Sequence, residues 1–201
     1  MKIQVKALVY GDNIDTDRII PGKYTKTLDT ASLAEHVMED LDPDFLKKMT
    51  IGDVVVAGDN FGCGSSREQA PVALKVAGVS AVIARFFARI FFRNAINIGL
   101  PVLEIPDHDI AFGDVLEIDF REGIVKNVTQ NKIYKATKIP KVMMDIMQEG
   151  GLTAYLKKYG DYQLLTCVLS RVSWGSQTSD YTFPNSIVKS STSHVATLGK
   201  L

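Results

Sequence analysis

Short apolar segments alternate with helical patterns between residues 54 and 105, and this alternation limits the fold more than any other feature of the sequence. Segments this short and apolar are typical of strands buried on both faces of a parallel sheet, with helices as the crossovers between them. We therefore predict an α/β fold. The predicted order is a strand at 54–58, a helix at about 66–77, a strand at 81–85, a helix at about 87–98 and a strand at 101–105.

The flanking segments are predicted to extend this sheet and its helical cover. Residues 2–11 alternate as a strand does, and a polar loop follows them. Ser32 and Glu35 have the spacing of a capping box, which predicts a helix from the early thirties to about Leu41. The remaining predicted elements are a hairpin formed by 114–120 and 124–128, and a helix over 140–160 that Gly150-Gly151 interrupts.

Composition and charge narrow the class of protein. With 201 residues, 46% of them hydrophobic, the chain is long enough for one domain with a substantial core. Lys and Arg together number 23, as do Asp and Glu, so we expect neither a nucleic-acid partner nor a membrane partner. The N-terminal apolar run is too short for a signal peptide, and we expect a cytoplasmic protein. Because Cys63 and Cys167 are the only cysteines, we expect this chain alone to bind no metal ion or iron–sulfur cluster.

The last part of the chain differs in composition from the rest. Residues 163–201 contain eight Ser and five Thr but only four charged residues, and no hydrophobic period persists there. We predict a single domain at 1–162 and an atypical Ser/Thr-rich tail at 163–201 that is non-native or disordered. A few extra edge strands are the alternative for this segment.

The loop Gly58–Pro71, with the sequence GDNFGCGSSREQAP, is the strongest candidate for a functional site. It follows a buried strand, and the Ser–Glu and Ser–Gln spacings within it predict the N-terminus of the next helix. Free N–H groups at a helix N-terminus favour an anion, and Gly62 and Gly64 let a ligand approach the backbone closely. Arg67 adds a group that binds a carboxylate or phosphate bidentately. Dinucleotide and P-loop sites are excluded, because the third glycine and the Gly-Lys-Ser/Thr sequence are absent.

Three polar side chains of this loop each have two possible roles. Ser65 and Ser66 are either helix caps or, where neighbouring N–H groups stabilise an alkoxide, candidates for a catalytic base. Cys63 has no histidine near it in the sequence, which favours a small packed residue over a nucleophile. The residues alone leave the choice between capping and catalysis open.

Three motifs, in order, resemble the small subunits of the aconitase-like hydro-lyases, in particular those of the 3-isopropylmalate dehydratase type. They are DNIDTDRIIPGKY, GDNFGCGSSREQAP and FARIFFRNAINIGLPVLE, and the similarity extends over about residues 1–160. The resemblance implies a swivelling β/β/α domain of the aconitase type. It also implies a partner, a large subunit that carries a [4Fe-4S] cluster, with this domain closing over the active site.

The resemblance assigns roles to five residues of this chain. It makes Ser65 the catalytic base and Arg67 the residue that binds a substrate carboxylate. It places Ser66, Gly64 and Asp17 at the same substrate-binding site. A serine alkoxide would remove a proton next to a carboxylate of a small 2-hydroxy dicarboxylate. The implied reaction interconverts 3-isopropylmalate and 2-isopropylmalate by dehydration and rehydration in leucine biosynthesis, and neither subunit is expected to work alone.

One segment departs from the family pattern where relatives set substrate choice. Relatives commonly have Tyr-Leu-Arg there, whereas this chain has Tyr24, Thr25, Lys26 and Thr27. Lys26 lacks the planar fork of arginine, so 2,3-dimethylmalate, citramalate and homoaconitate remain alternative substrates. Because a helix N-terminus beside an arginine also suits simple anion binding, a non-catalytic dicarboxylate-binding module is a second alternative.

Overall fold

A computed structural model describes residues 2–26 and 29–160. Thr27 and the tail predicted at 163–201 lie outside the described residues. The centre of the structure is a seven-stranded sheet with the strand order β4-β3-β2-β1-β5-β6-β7. The strands are β1 Lys2–Val9, β2 Val54–Ala57, β3 Ala81–Ala84, β4 Val102–Glu104, β5 Val115–Asp119, β6 Ile124–Asn127 and β7 Lys132–Lys135.

Strand β1 lies between a parallel half and an antiparallel half of the sheet. On one side β1, β2, β3 and β4 are parallel, with Leu8 opposite Val55. On the other side β1 pairs antiparallel with β5, where Ile3 lies opposite Ile118, and β6 and β7 continue as antiparallel neighbours. The predicted parallel strands and the predicted hairpin therefore belong to one mixed sheet.

Seven helices are described, and the two longest connect parallel strands. The helix α4 links β2 to β3, and α5 links β3 to β4, as the alternating sequence pattern predicts. Gly78 and Gly99 end these two helices in the left-handed conformation, which glycine adopts without a steric penalty. The helices are α1 Thr16–Ile19, α2 Thr30–Glu35, α3 Phe45–Lys48, α4 Gln69–Ala77, α5 Arg89–Ile98, α6 Lys141–Gln148 and α7 Leu152–Tyr159.

The two faces of the parallel strands are covered by different kinds of structure. Successive side chains alternate between two cores, so Val55 belongs to one and its neighbours Val54 and Val56 to the other. The first core contains the buried side chains of the helices. The second contains Leu116 and Val125 of the antiparallel half, so the sheet curves over its own second face. Both faces of the strands are buried, as predicted, and the layers have the β/β/α order of the predicted swivelling domain.

Two predicted helices have different bounds, and the short helices α1 and α3 were not predicted. The helix predicted from the early thirties to Leu41 covers only Thr30–Glu35. It begins where Asp29 rather than Ser32 caps it by accepting a hydrogen bond from the Ala31 N–H, and it ends at its C-cap His36, two residues before Met38 adopts φ +62°. The helix predicted from Ser66 begins at Gln69. Strand β7 was not predicted. Among the described residues, no helix has the length and apolar character needed to cross a bilayer.

Candidate active site

The loop between β2 and α4 follows the carboxyl end of a central parallel strand, where open α/β sheets commonly bind their ligands. Its path is held by tight packing against α5. Gly62 has φ +77°, and a Cβ atom there would overlap the Cβ and Cγ atoms of Phe91. Phe61 packs edge-on against Phe87 and Phe91, with ring centroids 6.0 and 5.0 Å away. These rings fix the backbone from which the candidate catalytic residues project.

The N-terminal motif holds the other side of this loop through hydrogen bonds. The Gly62 N–H donates to the Ile14 carbonyl at 2.7 Å, and the Thr16 N–H donates to the Cys63 carbonyl at 2.9 Å. The buried Thr16 hydroxyl donates to the Ser65 carbonyl at 2.9 Å. Two motifs that lie about 50 residues apart in sequence are thereby joined into one structure around Ser65.

Ser65 and Ser66 do not cap the following helix. The N-cap of α4 is Glu68, which makes no side-chain capping bond, and both serines are exposed in the loop before it. Within the described part of the chain, neither serine hydroxyl has a hydrogen-bond partner, and the backbone N–H groups of Gly64, Ser65 and Ser66 donate to no acceptor. The capping interpretation is therefore wrong, and among the described residues the N–H groups of Ser65 and of its two neighbours in the sequence have no acceptor.

Arg67 is fixed by contacts with the N-terminal motif. Its Nη1 donates to the Asp17 carboxylate and, at 3.3 Å, to the Ile20 carbonyl. A Cβ atom on Gly22 would lie 3.2 Å from Nη2 of Arg67, so the guanidinium rests directly against this glycine. The Arg67 side chain is only 21% exposed, whereas that of Asp17 is 53% exposed. The ion pair thus orients the guanidinium, and Nη2 and Nε have no partner among the described residues.

Cys63 has the environment of a structural thiol. Burial, and secondarily the negative charge of Asp15, raises the pKa of the Cys63 thiol above its ordinary value. Because the thiolate is the reactive form, this environment disfavours a nucleophilic role. The preference for packing over nucleophilic attack that the sequence indicated agrees with this shift.

A groove of about 1050 Å³ adjoins the loop. One wall is formed by the loop itself, including Gly64 and Ser65, and the other by α5 and α6. Phe86 and Ile90 border the groove and are 50% and 42% exposed, which is high for large apolar side chains. Arg89 adds positive charge beside them. The groove offers both an apolar surface and a cation next to the candidate catalytic serine.

The predicted specificity segment lies against the same site. The Gln69 side chain donates to the Thr25 carbonyl at 3.3 Å, which connects this segment to the first turn of α4. The Tyr24 ring stacks on the His36 ring, with centroids 3.6 Å apart. Lys26 is exposed, and Thr27 lies outside the described residues. Neither His36 nor Gln69 was predicted as a site residue, because their contacts depend on tertiary structure alone.

The predicted site residues are brought together from two distant stretches of sequence. Asp17 contacts Arg67 directly, and Ser65, Ser66 and Gly64 lie in the same loop as Arg67. In the described residues, no group of three His, Cys, Asp or Glu side chains is arranged to hold a metal ion. These residues therefore do not fit a metal ion or an iron–sulfur cluster held by this chain.

Comparisons with known proteins give a consistent relationship. The model of the aconitase C-terminal domain family matches residues 45–108. The chain is 59% identical to the 3-isopropylmalate dehydratase small subunit of Clostridium acetobutylicum over 79% of this chain and 98% of that protein. It is 53% identical to the subunit of the same name from Aquifex aeolicus, over 79% and 96% of the two chains. The crystal structure of 3-isopropylmalate dehydratase from Methanocaldococcus jannaschii matches with a TM-score of 0.76 and 48% identity, over 80% of this chain and 96% of that one.

Proposed function

Because this chain belongs to the family of 3-isopropylmalate dehydratase small subunits, we propose that it forms half of a two-chain hydro-lyase active site. The proposed reaction is the interconversion of 3-isopropylmalate and 2-isopropylmalate in leucine biosynthesis, in the cytoplasm. The partner is a large subunit, on which we place the [4Fe-4S] cluster that the family resemblance implies.

Ser65 is the catalytic base of this proposal. An alkoxide is unfavourable in water, but the free N–H groups of Gly64, Ser65 and Ser66 lie beside it and favour negative charge. Preorganised donors of this kind each contribute about 3 kcal/mol in a site from which water is excluded. The alkoxide removes the proton from the carbon next to a substrate carboxylate and becomes the hydroxyl, which returns a proton in the reverse reaction.

Arg67 holds the carboxylate on which negative charge develops when that proton leaves. Its Nη1 is engaged by Asp17 and the Ile20 carbonyl, while Nη2 and Nε have no partner in the described structure. A guanidinium fixed in this way offers two N–H donors in one plane, which matches a carboxylate. Asp17 therefore positions Arg67, and Ser66 and Gly64 complete the surface that contacts the substrate.

The large subunit meets this chain at the groove beside Ser65. Exposed apolar side chains at the edge of a candidate active site are typical of a surface that a partner covers. Covering the groove would exclude water from Ser65 and Arg67, which strengthens the electrostatic interactions there. In this proposal the specificity segment Tyr24–Thr27 selects the side group of the substrate, with 2,3-dimethylmalate, citramalate and homoaconitate as the alternatives to be tested.

The observation that carries the proposal is the exposed Ser65 hydroxyl next to three free N–H groups. The test is an anaerobic assay of the chain combined with a 3-isopropylmalate dehydratase large subunit, following formation of the unsaturated diacid. We expect Ser65→Ala to lower kcat at least about a thousandfold. Ser66→Ala is the matched control and should lower kcat far less, and gel filtration should find both variants in the complex.

Two outcomes would contradict the proposal. Full activity of Ser65→Ala in an intact complex would remove Ser65 as the base. If no mixture turns over while the isolated chain binds a dicarboxylate tightly, the chain is a non-catalytic binding module. Isothermal titration of the isolated chain with 3-isopropylmalate distinguishes these results.

A further inference from the structure

Four side chains form a closed cluster that includes Tyr24, the first residue of the specificity segment. The His36 Nδ1–H donates to Oε2 of Glu39 at 2.7 Å, and the Lys23 ammonium lies 3.0 Å from the other carboxylate oxygen, Oε1. The Lys23 ammonium also lies 4.7 Å from the centroid of the Tyr24 ring. The cluster closes where the Tyr24 ring stacks on His36 with an angle of 3° between the rings.

The charge of Glu39 keeps this cluster together. Burial alone would raise the pKa of Glu39, but hydrogen bonds from Lys23, His36 and Tyr24 outweigh it and lower the pKa below its usual value. Glu39 is therefore ionised at neutral pH and accepts from His36 and Lys23 through separate oxygens. An ionised Glu39 accepts hydrogen bonds only, so the Nδ1 of His36 is the donor in this contact, and the hydrogen bond orients the imidazole.

The backbone after α2 places these side chains in position. His36 is the C-cap of α2, and Met38 follows with φ +62°. The Met38 N–H donates to the Ile19 carbonyl at 2.8 Å, so this turn is fixed to the N-terminal motif. The tight turn returns the chain so that Glu39 lies beside His36 rather than continuing a helix.

The other end of the specificity segment is connected to the catalytic loop. Gly22 lies against the Arg67 guanidinium, and the Thr25 carbonyl accepts from Gln69. Tyr24 lies between these two residues in the sequence. It is therefore linked through the backbone both to the Thr25 carbonyl and to the glycine that contacts Arg67.

We propose that His36 is a positioning residue for substrate choice, which acts by holding the Tyr24 ring through stacking while Glu39 orients its imidazole. This inference rests on the proposed function, because it assigns substrate choice to the segment that Tyr24 begins. His36 does not contact the substrate. It sets where Thr25 and Lys26 stand relative to Arg67.

The test separates the two contacts of His36 in the complex with the large subunit. His36→Asn keeps a polar group for Glu39 but loses the ring, and His36→Phe keeps the ring but loses the hydrogen bond. For His36→Asn we expect the KM for 3-isopropylmalate to rise about five-fold, with kcat within about two-fold. The KM for the smaller citramalate should change less, so the preference between the two substrates narrows. His36→Phe should retain most of the wild-type preference for 3-isopropylmalate over citramalate.

The control is Glu35→Gln, an exposed position on the same helix that lies outside the cluster. It should leave both KM values unchanged. The inference is overturned if His36→Asn lowers the melting temperature but leaves the substrate preference at the wild-type value, since His36 then only ends α2. Failure of this inference can be distinguished from failure of the proposed function, because Ser65→Ala tests catalysis in the same assay. Collapse of activity in Ser65→Ala with an unchanged preference in His36→Asn would overturn this inference alone.

Discussion

Two polar loops of this domain differ in whether their hydrogen-bonding groups are paired within the protein. In the loop at 109–114, a single carboxylate oxygen of the buried Asp114 accepts from Asn127 at 2.6 Å, from Gln130 at 2.7 Å and from the Ala111 N–H at 2.8 Å. In the loop at 58–68, the backbone is held by other residues, while the Ser65 hydroxyl and its neighbouring N–H groups have no partner in the described structure.

The difference indicates that the paired groups of the Asp114 loop contribute to stability, whereas the unpaired groups of the Ser65 loop are available to bind a ligand. Buried polar groups contribute to stability when they are paired within the protein, and they cost free energy when they are not. The Asp114 loop satisfies its groups internally. The Ser65 loop instead fixes its backbone by packing Gly62 against Phe91 and leaves its donors available. A substitution in each loop should therefore affect a different measured quantity.

Among the substitutions that test this comparison, Arg67→Lys should have the largest effect on activity. A lysine retains the charge but cannot contact Asp17, the Ile20 carbonyl and a substrate carboxylate in one plane. We expect kcat/KM of the complex to fall about a hundredfold while the melting temperature changes by less than about 3 °C. Steady-state kinetics and calorimetry measure the two quantities. A large loss of stability with little loss of activity would contradict the assignment of this loop to ligand binding.

Gly62→Ala should be the exception within the Ser65 loop, because it changes the packed backbone rather than the free donors. The added Cβ would overlap Phe91, and φ is +77°. We expect the free energy of unfolding to fall by about 3 kcal/mol or more, measured by urea denaturation. Gly11→Ala is the matched control, since a Cβ atom there meets no atom within 4 Å. Equal stability of the two variants would show that the loop backbone is not fixed by this contact.

Asn127→Ala should lower stability and spare catalysis. Asn127 is fully buried, and its removal deprives Asp114 of a donor at 2.6 Å. We expect a loss of about 2 kcal/mol in urea denaturation, with kcat of the refolded complex unchanged. Lys126→Ala, an exposed neighbour, should change stability by less than about 0.5 kcal/mol. A fall in kcat without a change in stability would remove the distinction between the two loops.

Asp109→Asn should have the smallest effect, and this effect should disappear in acid. Hydrogen bonds from Lys132 and Tyr134 lower the pKa of the exposed Asp109 carboxyl below its usual value. A carboxyl whose folded pKa is depressed adds stability above its unfolded pKa of about 3.9, and this contribution is lost as the pH falls through the folded value. The variant should therefore show a shallower decline of the urea midpoint below about pH 4. An identical decline in both proteins would mean that this pair contributes nothing.

The parallel part of the fold was predictable because its strands are apolar on both faces. Val54, Val55 and Val56 have no polar alternation, and this pattern distinguishes a central parallel strand from an edge strand. Strand β7 escaped prediction for the opposite reason. It is a four-residue edge strand in which Ile133 is 71% exposed, so its sequence lacks a buried face. The start of α2 was misplaced because Asp29 caps it ahead of Ser32, and its end was misplaced because the left-handed turn at Met38 leaves no glycine in the sequence to mark it.

The part of the candidate site that could be predicted is the part whose residue types indicate a chemical role. Glycines and Arg67 at a helix N-terminus indicate an anion site through their residue types and spacing alone. The roles of His36 and Gln69 were not predictable, because a stacking contact with Tyr24 and a hydrogen bond to the Thr25 carbonyl leave no pattern in the sequence. The free state of the serines was not predictable either, since their spacing matches that of helix caps.

The central position of β1 has a consequence for synthesis of the protein. Val9 pairs with Val56, which is synthesised early. The partner of Ile3 is Ile118, which is synthesised much later, and the antiparallel half of the sheet forms only after that. Until β5 leaves the ribosome, one edge of β1 is unpaired and the second core lacks Leu116 and its neighbours. Pairing over so long a stretch of chain is slow, and open apolar edges promote association between nascent chains. An unpaired strand edge and an incomplete second core therefore persist during synthesis until translation has passed β5.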